Sequence, residues 1–325
     1  VTGARERSSE IDRIARIAAA FAGGAPAGEG GVVVGIGDDA AVLDVVGRPG
    51  AMVWTIDAQV EGVHFRRDLA SWEDVGWRSF MAAASDVAAM GAVPWCALSA
   101  LVLSPDVDDS ALEALTRGQA AAAREVGARV VGGNLSRGQE TSITTTLLGT
   151  CEHAVERRAH DGDGIWIAGD VGLAAAGLAA LERRFDLGDE SVARAVSAWR
   201  RPRARVLDGL AMAARARGCI DVSDGLARDV THVARASHLR AVFDEAALLG
   251  HLDPALNALA ARFGVSPVEL ALHGGEDYAL VAASDAPLEG FTRIGRFERG
   301  SSAMVALENA SGQRLVEPRG FDHFG

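Results

Sequence analysis

Six aspartates carry the chemistry that this sequence can be read for first. Asp38 and Asp39 lie in Gly35-Ile36-Gly37-Asp38-Asp39-Ala40-Ala41, directly after the apolar run Val32 to Ile36. Asp57 closes the run Ala51-Met52-Val53-Trp54-Thr55-Ile56, and Asp86 lies in Ala84-Ser85-Asp86-Val87-Ala88-Ala89-Met90-Gly91. Asp221 and Asp224 share Asp221-Val222-Ser223-Asp224-Gly225-Leu226. A single stretch of this kind reads as an ordinary Asp-rich turn. Hard oxygen donors recurring at the ends of separate runs, with glycines that let the backbone turn tightly, read instead as a cage for magnesium and a polyphosphate.

Composition narrows the class. At 325 residues and 49% hydrophobic, the chain is long enough for two domains with cores of their own. Its net charge of -12 argues against a nucleic-acid partner held through its backbone. All 32 basic residues are arginine. The absence of lysine excludes a P-loop lysine, a kinase-type strand lysine and Schiff-base chemistry. Cys96, Cys151 and Cys219 have no metal-ligand spacing, so reduced thiols in a cytoplasmic protein are expected. Charges from Arg5 to Arg13 interrupt any signal-like stretch, and the longest apolar segment, Ala92 to Leu103, is too short to span a bilayer. No membrane partner is expected.

The elements that must position these acids follow from periodicity. Ile11, Ile14, Ala18 and Phe21 share one helical face after Ser9 and Asp12, and Gly23 to Gly31 reads as a loop. Strands are predicted near 32–36 and 51–56, then a helix that starts after Ser71, with Asp74 at the capping-box position, and ends by Gly91. A strand near 94–103, a helix near 108–126 and strands near 128–131 and 141–149 complete the first half. After Thr150 the spacing predicts a strand at 165–168, helices over 173–183, 190–199, 203–217 and 226–236, and a strand over 278–282. The expected fold class is α/β (α+β), with helices over one face of the N-terminal sheet and domains at 1–150 and 151–325.

Seven stretches in order carry a family resemblance across nearly the whole chain. They are Gly35-Ile36-Gly37-Asp38-Asp39-Ala40, Asp57 with Val60-Glu61-Gly62-Val63-His64-Phe65, Ser85-Asp86-Val87-Ala88-Ala89-Met90-Gly91-Ala92, Gly132-Gly133, Asp221 to Leu226, Gly274-Gly275-Glu276-Asp277-Tyr278 and Gly320-Phe321-Asp322-His323-Phe324. The chain resembles the thiamine-monophosphate kinases of the aminoimidazole ribonucleotide synthetase-like superfamily. That resemblance implies an N-terminal ATP- and magnesium-binding domain whose sheet packs on its copy in a homodimer, and a C-terminal α/β domain that completes the active site. It implies transfer of the γ-phosphoryl group of ATP to thiamine monophosphate, assisted by several magnesium ions. By resemblance, Asp39, Asp57, Asp86, Asp221 and Asp224 are catalytic metal ligands, and Asp38 is an additional acid of that cage. Thr55 and Ser223 supply hydroxyls to the metal or nucleotide, and the Gly133 backbone approaches phosphate. Arg157 matches the phosphate-binding arginine, with Arg158 as its rival. His64, Glu276 and Phe321 match the substrate positions, although a turn histidine, a capping glutamate and a tail-docking phenylalanine are the bland readings.

Departures from the family pattern bear on the cage. Asn134 stands where the family usually has Asp, keeping a carbonyl oxygen but losing a charge. Ile56 replaces a hydroxyl residue beside Asp57, and Ala83 replaces an Asn before the Ser-Asp pair. The alternative function is a nucleotide- or thiamine-phosphate-binding member of the superfamily weakened in transfer.

Overall fold

The computed structural model describes residues 16–17, 19–21, 32–34, 42–43, 50–301 and 304–320. Asp38, Asp39, Phe321 and the expected loop at 23–31 lie outside them, as do Ile11, Ile14 and Ala18 of the first predicted helix. Arg16, Ile17, Ala19, Ala20 and Phe21 are helical. The chain divides into one unit formed by Val1–Ala84 and Pro94–Thr150, and another formed by Ser85–Val93 and Cys151–Gly325.

In the first unit, β1 (Val32–Val34) pairs antiparallel with β2 (Val42–Leu43). The elements β3 (Ala51–Val60), α1 (Trp72–Ala89), β4 (Val93–Leu103), α2 (Asp109–Glu125), β5 (Arg129–Arg137) and β6 (Ser142–Cys151) follow. The last turns of α1 and the first residue of β4 group with the second unit. The strands form a four-stranded sheet in the order β3-β6-β4-β5, with β4 and β5 parallel. Ser71 and Asp74 form the expected capping box: the Asp74 N–H donates to Ser71 Oγ at 3.2 Å and the Ser71 N–H to Asp74 Oδ2 at 3.3 Å. A Cβ on Gly76 would lie 1.9 Å from the Leu115 carbonyl oxygen, so α1 and α2 meet backbone to backbone.

Alternation along β3 separates two jobs. Val53 and Gln59 are buried, with Thr55 and Asp57 half-buried between them on the same face. Met52, Trp54 and Ile56, on the other face, are 56%, 72% and 69% exposed. Ile56 therefore points away from the face that carries Asp57, so its departure from the family pattern alters the outer face.

The second unit is built on a seven-stranded sheet. Its elements are β7 (Gly164–Ala168), α3 (Leu173–Glu182), α4 (Glu190–Arg200), α5 (Val206–Met212), β8 (Gly218–Asp221), α6 (Leu226–Ala236), β9 (Arg240–Asp244), α7 (Glu245–His251), α8 (Pro254–Phe263), α9 (Pro267–His273), β10 (Leu280–Ser284), β11 (Thr292–Glu298), β12 (Val305–Asn309) and β13 (Gly312–Val316). Strand order is β13-β12-β9-β11-β7-β10-β8, with β9 and β12 parallel. The core joins Ile165, Ile167, Ile220, Phe243, Val281 and Phe297 of the strands to Leu173, Val196, Val230 and Leu256 of the helices.

The helix predicted over 203–217 is confined to Val206–Met212. Beyond Met212 the alternating Ala and Arg residues up to Arg217 are only partly covered or exposed, and a helix without a face to bury is marginal. Cys96 and Cys219 are buried, and none of the three cysteines is paired. Among the described residues no helix is long and apolar enough to cross a membrane.

Candidate active site

Antiparallel pairing of β8 with β10 sets Asp221 opposite Leu280. The turn leaving β8 and the segment entering β10 are therefore neighbours, and backbone bonds tie them together. Val222 N–H donates to Ala279 O at 2.8 Å, Tyr278 N–H to Val222 O at 2.9 Å and Glu276 N–H to Ser223 O at 2.7 Å. Thus Asp221, Ser223, Asp224 and Glu276, read from distant parts of the sequence, lie on two joined loops.

The acids of this unit are held by specific partners. Asp221 is 5% exposed, and its Oδ2 accepts from Ser85 Oγ at 2.7 Å, which brings it beside the α1 turn that carries Asp86. Burial, then the charge of Asp86, pushes Asp221 well above the usual carboxylate range, against the Ser85 bond and the charge of Arg157. Arg158 instead pairs with Glu156 at 3.2 Å. Asp224 is half-buried, with Arg228 Nε 3.6 Å from its Oδ2.

Asp229 and Asp277, which sequence reasoning did not single out, do a different job. Oδ2 of Asp229 accepts from the N–H groups of Ser223, Asp224 and Gly225 at 3.0, 3.1 and 3.0 Å. Burial and the charges of Asp221 and Asp224 push its carboxyl up to about 8. Asp277 accepts from Gly172 N–H at 2.6 Å and Ala174 N–H at 2.9 Å, so it caps α3, whose own N-cap is a glycine with φ +78°. The visible signal for Asp229 was an acid in the first turn of the helix after Asp221-Val222-Ser223-Asp224-Gly225.

On the first unit, Gln59 Nε2 donates to Asp57 Oδ1 at 3.3 Å, while Gln59 Oε1 is buried and has no hydrogen-bond partner among the described residues. His64 is fixed in a turn: Val60 N–H donates to its Nδ1 at 3.0 Å, and Arg78 Nη2 donates to its carbonyl oxygen at 3.1 Å. Thr55 is half-buried on the Asp57 face. A Cβ on Gly133 would lie 1.9 Å from Ser99 O, so contact with β4 already requires glycine there, and Asn134, opposite Ala100, is exposed.

The donor set suits a hard divalent cation. The charge of half-buried Asp86 raises the carboxyl of buried Asp221, a repulsion that a bound cation would relieve. Among the described residues no three His, Cys, Asp or Glu side chains group closely enough to hold a metal ion alone.

Residues 37–151 match the family model described as AIR synthase related protein, N-terminal domain. The thiamine-monophosphate kinase of Aquifex aeolicus (strain VF5) is 33% identical over 294 residues, spanning 89% of this chain and 92% of that protein. The chain belongs to the thiamine-monophosphate kinase family. The Escherichia coli (strain K12) member is 33% identical over 315 residues, 90% of this chain and 92% of its own. Among solved structures, AaThiL complexed with AMPPCP and TMP gives a TM-score of 0.78 at 32% identity, covering 84% of this chain and 87% of that one. The enzyme from Stenotrophomonas maltophilia K279a gives 0.79 at 31%, covering 92% and 96%. Hydrogenase maturation protein HypE in complex with ATP, at 19% identity and a TM-score of 0.75, covering 98% of this chain and 96% of that one, shares the fold.

Proposed function

We propose that this chain transfers the γ-phosphoryl group of ATP to the phosphate of thiamine monophosphate, giving thiamine diphosphate and ADP. In the direct step, a phosphate oxygen of the acceptor forms a bond to the γ-phosphorus as the bond to the β-phosphate oxygen breaks. The observation that carries this reading is the pair of joined loops that sets Asp221, Ser223 and Asp224 beside Glu276, in a chain of this family.

Such a transfer asks the protein to hold charged groups in line. Asp57 and Asn134 on the first unit, and Asp86, Asp221 and Asp224 on the second, are the proposed magnesium ligands, with Asp38 and Asp39 from outside the described residues. Magnesium, when bound, neutralises phosphate oxygens and orients them. Thr55 and Ser223 offer hydroxyls to the nucleotide, the exposed Gly133 backbone faces phosphate, and Arg157 pairs with phosphate. His64 and Glu276, with Phe321, take the thiamine side, where a carboxylate suits a cationic ring or an amino group.

The exposed apolar face of β3, with Leu98 of β4 38% exposed, supports a homodimer through this sheet. Light scattering at micromolar protein is expected to return twice the chain mass, and a monomer mass sinks that part. A cytoplasmic location agrees with the unpaired thiols. The deciding experiment is product mass from purified protein with ATP, magnesium and thiamine monophosphate, run beside titration calorimetry. Tight ligand binding without thiamine diphosphate would identify a binding protein instead.

A further inference from the structure

Trp199 ends the buried face of α4, after Val192, Ala195 and Val196 at helical spacing. Leucine would serve packing alone. An indole also brings an N–H which, at 2% exposure, needs an acceptor inside the protein. Nε1 donates to Oε2 of Glu276 at 2.9 Å, and a bond to a carboxylate is roughly twice as strong as a neutral one.

Glu276 itself is held in a backbone conformation that side chains rarely adopt, with φ +64°, and Tyr278 follows at φ +52°. Such a conformation persists only where its surroundings over-determine it. Here the Glu276 and Tyr278 N–H groups are tied to Ser223 and Val222, and Asp277 is tied to the start of α3. A Cβ on Gly275 would lie 2.4 Å from Ser223 O, so the loop sits hard against the turn that carries Asp224. The backbone thus fixes where the Glu276 side chain starts, and the indole fixes where its carboxylate ends.

We propose that Trp199 is a positioning residue for acceptor recognition: its N–H aims the Glu276 carboxylate at the cationic or amino part of the thiamine half. The inference rests on the substrate role proposed above for Glu276. Trp199 acts through that carboxylate, so its loss changes acceptor affinity and leaves the nucleotide side alone.

The test is steady-state kinetics of the full chain, varying each substrate, for Trp199→Phe, Glu276→Gln, the double variant and a packing control, Val192→Ala. Trp199→Phe is expected to raise KM for thiamine monophosphate about five- to tenfold, with kcat and KM for ATP within about twofold of wild type. In the Glu276→Gln background the same change is expected to add little. Val192→Ala lowers the melting temperature without moving the acceptor KM. If Glu276→Gln leaves that KM unchanged, the substrate role of Glu276 is wrong and the inference falls with it. If Glu276→Gln raises KM while Trp199→Phe does not, or if the two effects simply multiply, Trp199 is only a packing residue. Trp199→Met, which fills the space flexibly and also lacks the N–H, gives the same reading should the Phe variant not fold.

Discussion

Asp57 in the first unit and Asp221 in the second both belong to strands, yet their surroundings differ. Asp57 is half-buried on β3, whose alternation sets the face it lies on, and Gln59 Nε2 reaches it at 3.3 Å. Asp221 is buried, bonded to Ser85, and followed by a turn whose N–H groups of residues 223, 224 and 225 converge on Asp229. A strand is its own scaffold because neighbouring strands satisfy its backbone. A turn is not, and its orphan N–H groups need a dedicated acceptor. Asp57 can therefore be lost with little change of shape, whereas the turn of the second unit depends on Asp229, which accepts its backbone N–H groups.

The largest expected effect tests what the two regions share. Asp57→Asn and Asp224→Asn should each lower transfer at low magnesium by roughly a hundredfold or more, the scale of losing a group that stabilises transferred charge. Neither should move the urea midpoint much, since both side chains are half-buried. Wild-type turnover across a magnesium titration in either variant would remove that residue from the proposed ligand set.

Stability should separate the regions. Asp229→Ala removes the acceptor of three N–H groups, that of Gly225 buried and those of Ser223 and Asp224 half-buried, which costs about 2–4 kcal/mol. Asp229→Asn, keeping one acceptor oxygen, should lose less. Asp57→Ala is expected to cost under about 1 kcal/mol by the same urea measurement. Equal losses at Asp229 and Asp57 would show that the turn needs no clamp.

A smaller effect is expected in the pH dependence of stability. Burial pushes the Asp277 carboxyl up to about 8, against the bonds from Ala174 and Gly172 that lower it, with Asp170 and Glu276 adding to the rise. Its unfolded value is about 3.9. A carboxyl with a raised folded value takes up a proton on folding, so its contribution is complete below about 4 and is lost as pH climbs through about 8. Unfolding free energy measured from pH 4 to 8 should fall more steeply in wild type than in Asp277→Asn, and parallel curves would mean that Asp277 stays ionised at the α3 terminus.

The two regions were also unequally legible in the sequence. Capping and periodicity located α1 and α6 well, because Ser71 with Asp74 and the apolar positions from Leu226 to Ala234 are local signals. The helices α7, α8 and α9 were missed although Asp244, Asp253 before Pro254, and Ser266 before Pro267 each cap one. β8 is four residues long, too short for periodicity to separate from the predicted helix before it. The motif acids were visible because they recur in short stretches of local sequence, several of them beside small residues. Asp277 and the Trp199–Glu276 bond were not, because their partners lie far away in sequence; Asp229 holds N–H groups only four to six residues before it, but in sequence an acid in a helix's first turn shows no such clamp.

Asn134 offers the finest test of the comparison, since like Asp57 it lies on a strand of the first unit. On β5 it sits opposite Ala100 and is exposed. A carboxylate there would meet no burial penalty. The amide gives a hard cation a neutral oxygen where a carboxylate gives a full charge, and such cations are held more weakly as ligand charge falls. Asn134→Asp should therefore lower the free magnesium needed for half-maximal activity by roughly severalfold at saturating ATP, with little change in stability. Activity against free magnesium for the two proteins, beside their urea midpoints, makes the measurement. A magnesium requirement that stays the same or rises in the Asp variant would mean that this position is not a ligand, and that the first unit contributes its charge from Asp57 and the acids before it.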